Sequence, residues 1–120
     1  MFKAEITRGW RRLNLYAPDW RDHVASEMLN MANPTWCVVG QLGNHSWENG
    51  LRMVNLSPSD VSTLIAHGFM SDVVINETTS CGLHYQRTDY ATLTSEWLDA
   101  LEAGSPPLAN SIELPEFYRA

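Results

Sequence analysis

Apolar positions along the chain recur mainly at helical spacing. The clearest run follows Asp89, where Tyr90, Leu93, Trp97 and Leu101 come at intervals of three, four and four, and Leu98 widens the stripe. Asp89 can cap this helix, and Gly104 followed by Ser105-Pro106-Pro107 ends it. The densest apolar run, Trp36 to Leu42, lies between Pro34 and Gly43-Asn44. A helix starting near Pro34 puts Trp36, Val39 and Leu42 or Gly43 on one side, with Cys37 and Gln41 on a neighbouring face.

Upstream, Thr7 is placed to cap a helix over 8–16. Trp10, Leu13 and Ala17 then share the inner side, and Arg8, Arg11 and Arg12 face solvent. Pro18 stops it, and a short turn follows over 19–24. Ser26-Glu27 opens another turn, with Met28, Leu29 and Met31 inward. Residues 45–54 read as a helix with Trp47, Leu51 and Val54 on one face. Ser57 and Asp60 have capping-box spacing ahead of a helix over 60–67, with Val61, Leu64 and Ile65 inward. Gly68 is a left-handed terminator, beyond which Phe69 can pack back. Val73-Val74-Ile75 is the best strand, followed by a polar loop or a hairpin return through Leu83 and Tyr85.

The expected fold is therefore mainly α: a compact bundle of four or five short helices with at most a minor β-hairpin near 72–86. Residues 1–105 form one domain. Residues 106–120 form a tail whose Leu108, Ile112, Leu114, Phe117 and Tyr118 suit docking on the domain or on a partner.

At 120 residues the size is that of one domain. The net charge of -6 is uneven. Residues 1–59 carry six Lys/Arg against five Asp/Glu, a balance of +1, and residues 60–120 carry two against nine, a balance of -7. That acidity disfavours nucleic acid as a partner, although the basic start can make a local anion contact. No apolar run approaches the roughly 20 residues that span a bilayer, so no membrane role is expected. The start lacks the apolar region of a signal peptide. Two cysteines, Cys37 and Cys81, make no disulfide framework, and reduced thiols in a cytoplasm are the default.

Three segments together resemble a family of small uncharacterised proteins encoded by phages of actinobacteria. Asp19-Trp20-Arg21-Asp22-His23-Val24 is similar to that family's Gly-Trp step with its short Arg-Ile/Val segment. Leu29-Asn30-Met31 followed by Cys37-Val38-Val39-Gly40-Gln41-Leu42 resembles its Leu-Asp-Met and Cys-hydrophobic-Leu-Gly-Gln-Leu pattern. Gly68-Phe69 followed by Tyr90-Ala91-Thr92-Leu93-Thr94-Ser95-Glu96-Trp97 resembles its Gly-Phe and Tyr-x-x-Leu-Thr-x-x-Trp. The pieces cover about residues 10–103, with Asn30 where the pattern has Asp and Val39 where it has Leu. The resemblance implies a setting, a phage protein in the cytoplasm of an infected host, and no activity.

The candidate chemistry is sparse. Cys37 as a nucleophile needs a base, and His23, His45, His67 or His84 could serve with Asp19 or Asn44 as orienter. Its apolar surroundings favour a packing thiol. Cys81-x-x-His84 with Cys37 and His45 is too loose a set for zinc, so no metal is expected. The glycines around Gln41 lack a phosphate loop's Lys-Ser/Thr ending, and no cofactor is expected. Glu96, Asp99 and Glu102 read as a solvated face. The expected core includes Trp36, Cys37, Val39, Leu93 and Trp97. Arg8, Arg11, Arg12, Gln41, Asn44 and Trp47 are the candidates for ligand or partner binding, and no catalytic residue is assigned.

The reading is a non-enzymatic accessory protein that binds a host or phage protein, with a homodimer as a further assembly. One rival is a nucleotide-binding or sequestering protein in which Arg8, Arg11, Arg12, Arg52 or Arg87 converge on a cleft. The other is a small hydrolase using Cys37 or His45.

Overall fold

A computed structural model describes residues 1–108, and the tail positions Ile112, Leu114, Phe117 and Tyr118 lie outside the described residues. Its order is α1 (Lys3–Tyr16), two 3-10 turns (Trp20–His23 and Ser26–Met28), α2 (Val38–Leu42), α3 (Trp47–Met53), α4 (Val61–Ala66), β1 (Val74–Thr78), β2 (His84–Thr88) and α5 (Tyr90–Ala103). The fold is mainly α with a minor antiparallel hairpin, as the periodicity indicates. Among the described residues, no helix is long and apolar enough to cross a membrane.

A chain of rings ties the elements together. Trp10 of α1 meets Trp20 edge-on at 4.9 Å, and Trp20 meets Trp97 of α5 edge-on at 6.4 Å. Phe69 stacks parallel to Trp97 at 6.1 Å, and His67 stacks on Phe69 at 6.2 Å. Such pairs add about 0.5–1.5 kcal/mol each beyond their burial. Two of the three buried tryptophans bond through their indole N–H: Trp20 donates to Asn14 Oδ1 at 2.9 Å and Trp97 to the Gly68 carbonyl at 2.7 Å. Gly68 turns the chain at φ +69° to bring that carbonyl and Phe69 inward. The long α5 stripe holds: Leu93, Trp97 and Ala100 are buried, Asp89 caps the start by accepting the Thr92 N–H, and Gly104 ends it at φ +73°.

Several boundaries differ from the expectation, each for a tertiary or local reason. Helix α1 begins at Lys3, so Thr7 is internal and buried, its hydroxyl donating to the Lys3 carbonyl at 2.7 Å. The cap is supplied from afar: Glu96 of α5 accepts the Phe2 N–H at 3.1 Å. Glu96, midway along α5, thus holds the start of α1 rather than belonging to a solvated face.

Helix α2 starts only at Val38, because Cys37 is its cap. Trp36 therefore precedes the helix, is only half-buried and stands edge-on to His45 at 4.8 Å, outside the core. Asn44 and His45 adopt positive φ of 58° and 69°, which delays α3 to Trp47, with Ser46 as its cap. Asp60, not Ser57, caps α4, accepting the Thr63 N–H. That register leaves Val61 exposed, as Met28 is in its 3-10 turn.

Helices α2 and α3 are too short to stand alone. They hold by close contact at Gly50, where an added Cβ would lie 1.8 Å from the Val39 carbonyl oxygen. The hairpin pairs Val74 with Thr88 through Thr78 with His84, and every residue of β2 is exposed.

Candidate functional site

The sequence-derived candidates fall into three places that do not converge. The first is α1. Arg8 donates to the carbonyl of Ala66, the last residue of α4, at 3.2 Å. One turn on, Arg12 donates through Nε to the Val54 carbonyl at 2.8 Å and through Nη2 to that of Asn55 at 2.9 Å, beyond the end of α3. Two arginines four residues apart thus cap two helix C-termini, where orphan carbonyls and the negative end of the dipole favour a guanidinium. Arg11 is half-buried on the same helix. Arg52 lies near Asn49, and Arg87 pairs with Glu77 on the hairpin, so the arginines line no common cleft.

The second place is the start of α2. Gln41 is buried, and its amide is fully engaged. Its Oε1 accepts the Ala25 N–H at 2.7 Å, and its Nε2 donates to the carbonyls of Trp36 at 2.9 Å and Ala25 at 3.3 Å. Gln41 fastens the two segments that lead into the helix. Asn44 is exposed and ends the helix in a left-handed conformation.

Cys37, 2% exposed, accepts the Gly40 N–H at 3.3 Å, so its sulfur serves as the helix cap. Burial pushes its thiol above the ordinary range, outweighing the backbone N–H groups that oppose it. A nucleophilic cysteine needs the reverse, a stabilised thiolate. The other cysteine, Cys81, sits exposed at the hairpin tip beside the Thr79 hydroxyl. His84 there bonds Thr78. Among the described residues, no group of three or more His, Cys, Asp or Glu could hold a metal ion.

The third place is an apolar groove of about 240 Å³. Its walls are Met31, Pro34, Trp47, Met70 and Tyr90, with Cys37 and Phe69 at its base. Four elements build it. Met31 is held by its N–H to Thr94 Oγ1 of α5 at 2.9 Å. Trp47 opens α3 directly after the Ser46 cap, and Tyr90 opens α5 directly after the Asp89 cap, so both rings stand at helix starts. Met70 follows the Gly68-Phe69 turn. Trp47, Met70 and Tyr90 are half-buried. Of these, the sequence pointed to Trp47 as a candidate binding residue, but grouped it with Gln41 and Asn44, which do not line this groove. Met31 and Tyr90 read as core positions, and the only sign of their second role was their place at the end of an apolar stripe.

No protein-family model, curated protein or solved structure matches this chain.

Proposed function

We propose that this chain is a non-enzymatic phage accessory protein that works in the host cytoplasm by binding a host or phage protein, with the Trp47–Met70–Tyr90 groove as the contact. The observation that carries the reading is the make-up of that groove: the half-buried Trp47, Met70 and Tyr90 stand with the buried Met31 around an apolar hollow. Aromatic and methionine side chains are enriched at the centres of protein interfaces, and Met adapts its shape to a partner. The phage setting rests on the resemblance of the Cys37–Leu42 and Tyr90–Trp97 segments. The acidic C-terminal half suits a basic partner by steering the encounter.

The nucleotide-sequestering rival is less well supported, because Arg8 and Arg12 already bond the ends of α4 and α3. The test is affinity capture from infected host lysate with the wild type, Trp47→Ser and Arg11→Ala. The reading expects a stoichiometric protein retained by the wild type and by Arg11→Ala and lost with Trp47→Ser. A retained nucleotide without a protein, or a protein held equally by all three, would count against it. Light scattering on the same samples reports whether the retained species is a second copy.

A further inference from the structure

We infer that β2 pairs edge to edge with β2 of a second copy of this chain, antiparallel about a twofold axis at Gln86. The bonds at the two ends of the hairpin fix which backbone groups are turned that way. Asp89 N–H donates to the Val73 carbonyl and Thr79 N–H to the Leu83 carbonyl, both at 2.8 Å. Antiparallel pairs alternate between bonded and non-bonded, so Tyr85 and Arg87 also bond β1, while His84, Gln86 and Thr88 turn their N–H and C=O groups outward. Among the described residues the sheet contains β1 and β2 alone, so no further strand meets that edge. Every residue of β2 is exposed. A two-stranded hairpin is marginal in water, and an open edge is a template for another strand.

The side chains select both register and occupant. With Gln86 on the axis, His84 lies opposite Thr88 of the second copy, and the outward groups of the two strands meet. Tyr85 then lies opposite Arg87 of the second copy in a non-bonded pair, where side chains come closest. Within one chain the Tyr85 hydroxyl and the Arg87 Nε–H both donate to Glu77. Each guanidinium therefore meets a ring whose hydroxyl is held by a carboxylate, positive against negative. A slip of one residue sets outward groups against inward ones. A shift of two sets Arg87 against Arg87 in one direction and Thr88 against Gly82 in the other. Pairing β1 with β1 about Asn76 sets Ile75 against Glu77. Pairing β1 with β2 of the next copy is head-to-tail and brings no twofold closure. The β2 edge alone complements itself, which selects a second copy as the occupant. None of its residues lines the Trp47 groove, so the pairing stands apart from the function proposed for that groove.

The experiment combines light scattering and amide hydrogen exchange on the full-length chain at high concentration with NOE spectroscopy on an equal mixture of differently labelled chains. The expected result is a mass of two chains, protected amides at His84, Gln86 and Thr88, and an NOE between Tyr85 Hα and Arg87 Hα of different chains. Gln86→Pro removes one outward N–H, which an edge strand tolerates. That variant is expected to have the mass of one chain and to lose protection at His84 and Thr88, while Tyr85 and Arg87 keep theirs. A wild type with the mass of one chain, whatever its amide protection, overturns the proposal. So does a two-chain mass that survives Gln86→Pro, or one without the inter-chain NOE. Should Gln86→Pro fail to fold, the wild-type mass and the inter-chain NOE still decide.

Discussion

The arginine side of α1 and the Trp47 groove answer differently to the same question, which groups remain available to a partner. On α1 the charges look like ligand donors in the sequence, yet Arg8 and Arg12 complete the C-terminal ends of α4 and α3. In the groove Met31 and Tyr90 look like core in the sequence, yet Tyr90 ends half-buried with Trp47 and Met70 around a hollow. A polar group's availability depends on which backbone ends the fold brings to it, and a carbonyl 42 residues away in the chain leaves no local sign. An apolar residue's availability depends on whether its stripe runs past the end of the element that covers it.

The strongest way to break the comparison is to remove the floor that holds Trp47 in place. Gly50→Ala puts a methyl group into the Val39 carbonyl and forces α2 and α3 apart. A loss of about 3 kcal/mol in urea unfolding is expected, at the upper end for overpacking. A change below about 0.5 kcal/mol would mean the two short helices are not fixed by that contact.

Next comes Arg12→Ala, which leaves the Val54 and Asn55 carbonyls without their guanidinium. A loss of about 1–2 kcal/mol is expected, since the hydrogen bonds are to a charged donor but the site is half-exposed. Arg11→Ala should stay within about 0.5 kcal/mol. Equal effects of the two would show that the arginines act only as general surface charge.

Cys37→Ala removes both a buried sulfur and the α2 cap, for about 1–2 kcal/mol. Cys37→Ser keeps a cap acceptor and should recover part of that loss. In the native protein Cys81 should react with a thiol reagent much faster than Cys37, because it is exposed and its pKa is lowered by the Thr79 hydroxyl. Rapid labelling of Cys37 would contradict its placement in the core.

A smaller effect comes from pH. His67 is 1% exposed, and its Nδ1–H donates to the Thr63 carbonyl at 2.7 Å. Burial holds its pKa below the ordinary 6.5, and the charges of Arg12 and Arg8 add to this against the opposing hydrogen bond. A depressed histidine pKa means the unfolded chain binds the extra proton first. The neutral ring's contribution is therefore present above 6.5 and is lost as pH falls through the folded pKa. Urea midpoints at pH 7 and pH 5 should show this decline, and His67→Asn should flatten it.

Much of the fold was legible where one element carries its own signals. Asp89, the Leu93–Trp97 spacing and Gly104 define α5 without help from the rest of the chain, and Gly68-Phe69 likewise announces its own turn. Legibility fails where the deciding group is distant. Glu96 caps α1 from 94 residues away, so the helix starts before the point that Thr7 suggested. It fails again where a residue has two local options: Cys37 caps α2 rather than joining it, which moves Trp36 out of the core. The groove was legible only in Trp47, because Met31, Met70 and Tyr90 come together through three separate turns.

The most direct test of the central claim is hydrogen exchange on the full-length chain with and without its captured partner. Protection is predicted to rise at residues 31–36, at the start of α3 around Trp47 and at Met70, with α1 unchanged over residues 5–12. Protection confined to residues 5–12, with the groove segments unchanged, would contradict the account and return the arginine side to consideration as the binding surface.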